Sequence, residues 1–139
     1  MGKAHDLKMF TIEEANRLLP QLTEWLRELQ TGRDAILALE VEIDTLVLVT
    51  EKDDAGVSPA LTRKVDEYTQ LVNRFYSLVD KIHESGCLLK DLNLGLIDFY
   101  SLQNNRVVFL CWKFGEAAVG FWHETSGGFS TRQSLPNKA

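Results

Sequence analysis

Apolar residues recur every three or four positions through the first half of the chain, the spacing of a helix with one apolar face. Thr11 and Glu14 form the T-x-x-E capping box of a helix start, and the apolar stripe then runs to about Glu51. Pro20 predicts either a kink or a first helix that ends near Leu19, because proline lacks the N–H and crowds the preceding turn. A continuous helix would be roughly 60 Å long. We therefore expect it to project or to pair with another chain.

A second helix is predicted after a charged turn at residues 52–57. Ser58 is a suitable N-cap, and Pro59 suits the first helical position, where its missing N–H costs nothing. Gly86 suits the C-terminal end. The apolar positions between them follow a four-three spacing: Leu61, Val65, Tyr68, Val72, Phe75, Val79 and Ile82. The two stripes predict an antiparallel helical hairpin over about residues 11–86.

Beyond Gly86 the apolar period changes to two, which indicates strands. We place them at about Leu94–Tyr100, Val107–Phe114 and Val119–Glu124, with short turns between them and a loop over residues 125–139. The predicted fold class is α+β, a long antiparallel helical hairpin followed by a small three-stranded antiparallel β-meander. Residues 1–139 are expected to form a single domain, with the meander and C-terminal loop at about residues 90–135.

Composition narrows the function classes. The net charge is −5 and no basic stripe is visible, which argues against nucleic-acid binding. No apolar run approaches the ~18 residues of a membrane span. The N-terminal residues show no apolar segment of a secretory signal, so the two cysteines are expected to be free thiols in a reducing cytoplasm.

Polar residues in the predicted strands suggest a metal site. Neighbouring strands can bring Asp98, Cys111 and His123 together, because opposed side chains on one face of a sheet lie close. The predicted ligands are His123 and Asp98, with Glu116 or Glu124, and the expected cofactor is a divalent transition metal such as Zn²⁺. His123 and Glu124 are adjacent, so a regular strand would turn them to opposite faces. The spacing matches no recognised zinc motif. Cys111 lies between Leu110 and Trp112 in a buried-looking strand and is interpreted as a buried, inert thiol before it is considered a ligand.

An anion site is the alternative for the same region. Arg132 offers a planar fork for a carboxylate or phosphate, beside Asp98, Trp122 and the loop at Ser126–Gly128. A purely structural interpretation pairs the buried Asp98 with Arg132 or with Lys90, since a buried carboxylate needs a partner.

Four segments resemble one known family. They read FTIEEANRLLP from Phe10, KDLNLGLIDF from Lys90, FLCWKFGE from Phe109 and FWHETSGGFSTRQSL from Phe121. These segments resemble the bacterial family DUF2203, and the likeness extends over nearly the whole chain. The resemblance implies a small bacterial cytoplasmic protein with no established activity, so it supports the architecture and names no substrate.

Three functional interpretations follow. The first is a non-enzymatic protein that binds a metal or small anion on its sheet and forms homodimers through its helices. The second is a helix-mediated interaction module without a ligand. The third is a metal-dependent hydrolase that uses His123 and Asp98, with Glu116 or Glu124 as the base. A solvent-facing His123 should tolerate replacement by alanine, whereas a structural one should cost more than about 2 kcal/mol.

Overall fold

A computed structural model describes residues 7–53 and 58–136 of the chain. Two helices precede an antiparallel sheet, which confirms the α+β class. The sheet has five strands within the described residues, so the prediction of a three-stranded meander is wrong. The elements are α1 (Ile12–Asp53), α2 (Pro59–Glu84), β1 (Leu88–Asp91), β2 (Leu96–Gln103), β3 (Arg106–Lys113), β4 (Phe121–Glu124) and β5 (Gln133–Ser134), with a short 3₁₀ turn at Phe129–Thr131. The strands lie in sequence order.

The start of α1 follows the predicted capping box. The Thr11 N–H donates to Glu14 Oε1 at 2.9 Å, and the Glu14 N–H donates to Thr11 Oγ1 at 3.0 Å. The helix then continues through Pro20 without interruption. A first helix that ends near Leu19 is therefore wrong, because the packed apolar stripe on both sides outweighs the loss of one backbone hydrogen bond.

The ends of α2 also match their sequence signals. Ser58 Oγ accepts the Leu61 N–H at 3.0 Å, and Pro59 is the first helical residue. Gly86 follows the helix with a φ of 101°, a conformation that favours glycine. The turn was predicted at residues 52–57. Residues 52 and 53 instead belong to the end of α1, and residues 54–57 lie outside the described part of the chain. In the described residues, neither helix is long and apolar enough to cross a membrane.

The chain divides into two compact units, and α1 contributes residues to both. The hairpin unit is Glu28–Val79, and the sheet unit is Met1–Arg27 with Asp80–Ala139. Within the hairpin unit, three side-chain contacts join the two helices. Later residues of α1 contact earlier residues of α2, so the helices pair antiparallel. Arg74 pairs with Glu28, Tyr68 with Glu40, and Lys64 with Glu42.

In the sheet unit, one face of the sheet packs on the residues that lead into α1. The ring of Phe10 meets that of Phe99 edge-on at 5.1 Å, and Ser101 Oγ donates to the Phe10 carbonyl at 2.7 Å. Ile97, Phe99, Leu110 and Trp112 are buried on this face. Asp98 alternates with them along β2, so it points to the opposite face.

The two strands that the sequence did not predict are the edge strands. β1 has four residues and β5 has two, which is too short for an alternating pattern to be visible. β1 contains a β-bulge, a shift in the pairing register between Leu89 and Asp91.

Candidate metal centre

Three adjacent strands bring Asp98, Cys111 and His123 to one face of the sheet. Asp98 in β2 lies directly opposite Cys111 in β3, and His123 in β4 lies opposite Phe109, two residues from Cys111. One potential ligand atom from each of the three lies within 4.8 Å of the others. The residues are 2%, 1% and 2% exposed. We call Asp98, Cys111 and His123 the buried triad.

Hydrogen bonds fix the orientation of the His123 ring. Nδ1 lies 2.7 Å from the Glu124 carbonyl oxygen, and Nε2 lies 3.1 Å from Asp98 Oδ2. A carbonyl only accepts, so Nδ1 carries a hydrogen. The contact at Nε2 then requires one proton between the imidazole and the carboxyl, on either partner. The carbonyl bond to Nδ1 is the same arrangement that orients histidines whose Nε2 binds a metal.

Burial acts on the other two members of the triad. It raises the pKa of Asp98, although the charges of His123 and Lys90 act in the opposite direction. Burial, together with the Asp98 carboxylate, raises the pKa of the Cys111 thiol to about 11. Cys111 is therefore a thiol near neutral pH, which argues against a nucleophilic Cys111–His123 pair. A bound cation would reverse this by stabilising the thiolate.

Two cationic side chains flank the buried triad. Lys90 Nζ lies 3.9 Å from Asp98 Oδ2 and 4.7 Å from the centre of the Phe109 ring. Arg132 Nη1 lies 3.9 Å from Cys111 Sγ. Asp98 thus pairs with His123 and Lys90, and the salt bridge between Asp98 and Arg132 that the structural interpretation offered is not formed.

Arg132 is held by other groups. Its guanidinium makes a bidentate salt bridge with the Glu116 carboxylate. The distance is 2.6 Å from Nη2 to Oε2 and 3.2 Å from Nη1 to Oε1. It also lies between the rings of Phe121 and Phe129, at 3.9 and 4.4 Å. Glu116 additionally accepts the Lys113 N–H at 2.9 Å. These contacts leave neither the Arg132 fork nor the Glu116 carboxylate positioned for a ligand.

A family model described as "Uncharacterized conserved protein (DUF2203)" matches residues 8–135. The chain belongs to the DUF2203 family. No curated protein and no solved structure gives a significant match. Family membership confirms the resemblance, and the family description names no activity.

Two other predicted site residues lie apart from the triad of this DUF2203 chain. Glu124 is exposed, and its bond with Arg106 at 2.7 Å lowers the pKa of its carboxyl. Trp122 pairs opposite Leu110 and so faces away from His123. Trp122 lines a separate groove of about 140 Å³ with Arg106 and Leu135. The alternation of side chains along β4 explains both positions.

The triad offers a donor set suited to a transition metal. Carboxylate, thiolate and imidazole all bind Zn²⁺, and bonds of 2.0–2.3 Å place tetrahedral ligand atoms roughly 3.3–3.7 Å apart. The triad atoms lie within 4.8 Å, so side-chain adjustments of about 1 Å would complete such a geometry. Of the predicted ligands, the structure brings together Asp98 and His123. The third residue is Cys111, which the strand pairing was also expected to bring there, and Glu116 and Glu124 lie elsewhere.

Proposed function

We propose that this protein binds one divalent transition metal ion, with Zn²⁺ the first candidate, through Asp98, Cys111 and His123. The observation that carries the proposal is the convergence of three different metal-binding side chains in a buried position. Thiolate and imidazole are ligands for Zn²⁺ and its neighbours, whereas Mg²⁺ and Ca²⁺ take oxygen ligands. The hydrogen bond from His123 Nδ1 to a carbonyl supports the proposal, because it leaves Nε2 directed at the triad.

Binding is a better-supported role than hydrolysis. A metal-dependent hydrolase needs a base beside the bound water. The two glutamates predicted for that role are bonded to arginines, Glu116 to Arg132 and Glu124 to Arg106. We therefore favour a metal-binding protein without hydrolytic activity.

Metal content tests the proposal directly. Protein purified without an affinity tag and incubated with Zn²⁺ should retain about one ion per chain after dialysis, as expected for three convergent protein ligands. His123→Ala should retain none. His83→Ala is the matched control, because His83 is exposed at the end of α2. Elemental analysis by mass spectrometry measures all three proteins. Cys111→Ser provides a second, nearly isosteric loss of a ligand, and wild-type protein without metal would refute the proposal.

Self-association through α1 is a second, separate proposal. Leu37, Val41 and Leu48 are 53%, 65% and 61% exposed and share one stripe of the helix. Exposed apolar side chains that share one helical stripe are typical of a contact surface, and here Asp44 lies between Val41 and Leu48 on the same stripe. A homodimer through this stripe would cover them.

Sedimentation mass checks the dimer. At tens of micromolar, the wild type should sediment as two chains. Val41→Lys should sediment as one, because the substitution would bury a charge in the dimer interface. Gln70→Lys, on the exposed surface of α2, is the matched control and should remain dimeric. A wild-type mass of one chain would exclude the dimer.

A further inference from the structure

The edge strand β1 brings Lys90 to the buried triad. The register passes from Leu89 opposite Ile97 to Asp91 opposite Leu96, so Lys90 has no directly opposed partner. Leu88 lies directly opposite Asp98, so alternation along β1 places Lys90 on the same face as Asp98. The Lys90 ammonium group reaches Asp98, and the side chain keeps 43% of its surface in solvent.

Lys90 and Arg132 differ in how firmly they are held. The guanidinium of Arg132 is bonded at two positions to Glu116, and its side chain is 13% exposed. Lys90 has a 3.9 Å contact with Asp98 and the face of Phe109. Rearranging Lys90 therefore disrupts fewer close contacts. Since it is also the more exposed of the two, the Lys90 side of the triad is where a small molecule would reach the metal.

In a metal-loaded site, no negative charge of the triad would remain to balance the positive charge of Lys90. Asp98 and the Cys111 thiolate would balance a divalent ion, and His123 would bind as a neutral ligand. The Arg132 charge is already balanced by Glu116. Lys90 would then remain as an excess positive charge beside an ion that has three protein ligands. Zn²⁺ with three protein ligands keeps its fourth position for water or an exogenous ligand.

We infer that the fourth metal ligand is an exchangeable small carboxylate, held between the metal and Lys90. This inference rests on the proposed metal site. A carboxylate fits because one oxygen can bind the metal while the other accepts a bond from Lys90 Nζ. A phosphate has more oxygens to satisfy and a higher charge, and the only other flanking cation described here, Arg132, is engaged by Glu116.

Cobalt substitution tests the inference, because the visible absorption of Co²⁺ reports changes in its coordination. The Co²⁺-loaded protein, in a buffer without carboxylate or phosphate, is titrated with acetate and separately with phosphate. Wild type should show a saturable spectral change with acetate. Lys90→Met should bind acetate about tenfold to a hundredfold more weakly, as expected for the loss of one charge-assisted hydrogen bond. Its Co²⁺ affinity should be kept or increased, since a repelling cation has been removed.

Lys113→Met is the matched control. Lys113 lies at the end of β3, where its ammonium group faces the Phe129 ring at 5.8 Å, and its replacement should leave the acetate titration unchanged. A Co²⁺ spectrum that does not respond to acetate would overturn the inference, as would equal acetate affinity in Lys90→Met. A stronger response to phosphate than to acetate would overturn the choice of carboxylate. Failure of the wild type to bind Co²⁺ would instead refute the metal site itself.

Discussion

Raising the pH by one unit between about 6 and 8 is expected to tighten Zn²⁺ binding about tenfold or more, because the metal displaces the thiol proton of Cys111 from the buried triad. Burial raises the pKa of that thiol to about 11, so Cys111 keeps its proton throughout this range when no metal is bound. Any proton that lies between His123 Nε2 and Asp98 Oδ2 is displaced as well, which makes the dependence steeper. Each displaced proton contributes about a factor of ten per pH unit.

The sign of this dependence follows from competition between metal and protons. Lower pH supplies more protons to both positions, so metal affinity falls. Higher pH removes them, so affinity rises until the groups are deprotonated without metal. The raised pKa of Cys111 places that limit for the thiol at about 11, beyond the measured range. Competition with a chromophoric chelator at a series of pH values measures the slope.

Cys111→Ser provides the control for proton counting. A serine hydroxyl keeps its proton near neutral pH and is a weaker ligand, so Zn²⁺ affinity should fall and its dependence on pH should be about tenfold per unit smaller than in wild type. An unchanged slope in this variant would show that Cys111 does not lose a proton to the metal. A wild-type affinity independent of pH would contradict the triad as the binding site.

The helices were predictable because their signals are local. The capping box at Thr11 and the cap at Ser58 involve residues three apart, and the apolar stripe repeats over many turns. The effect of Pro20 was not decided by local rules. Whether a proline ends a helix depends on how much packing continues beyond it, and that packing is formed by the tertiary structure.

The site was only partly predictable for a similar reason. Alternation along β4 separates His123 from Glu124, and adjacent antiparallel strands explain the meeting of Asp98 with Cys111 and His123. The bond between Glu116 and Arg132 joins a turn to the C-terminal segment, and no periodic pattern in the sequence encodes it. Lys90 was one of the two partners expected for the buried Asp98, but the four-residue edge strand β1 that presents it is too short for its sequence to indicate a strand.

Replacing His123 with alanine is expected to lower the free energy of unfolding of the metal-free protein by about 3 kcal/mol. The change removes both ring hydrogen bonds and leaves a cavity where a buried side chain was. It also leaves Asp98, which is buried, with Lys90 at 3.9 Å as its remaining charged partner. Urea unfolding in the presence of a chelator measures the loss. His83→Ala should stay within about 0.5 kcal/mol of wild type, as usual for a surface substitution.

A double-mutant cycle identifies the cause of that loss. Asp98→Asn combined with His123→Ala should cost less than the sum of the single changes by about 1 kcal/mol or more, because the two side chains share one contact. Additive losses would show that the cavity, and not the broken pair, accounts for the effect of His123→Ala.

A large stability loss does not exclude His123 from metal binding. A structural histidine and a solvent-facing histidine at a binding site were expected to be alternatives. In the structure His123 is buried, and its Nε2 is still directed at two other potential ligands. The effect of Zn²⁺ on the free energy of unfolding distinguishes the two roles of His123. A ligand that binds only the folded state stabilises it by about 2.7 kcal/mol at a hundredfold excess over its Kd. Wild type should gain this stability and His123→Ala should not. A variant that is destabilised yet still gains it would leave His123 with a structural role alone.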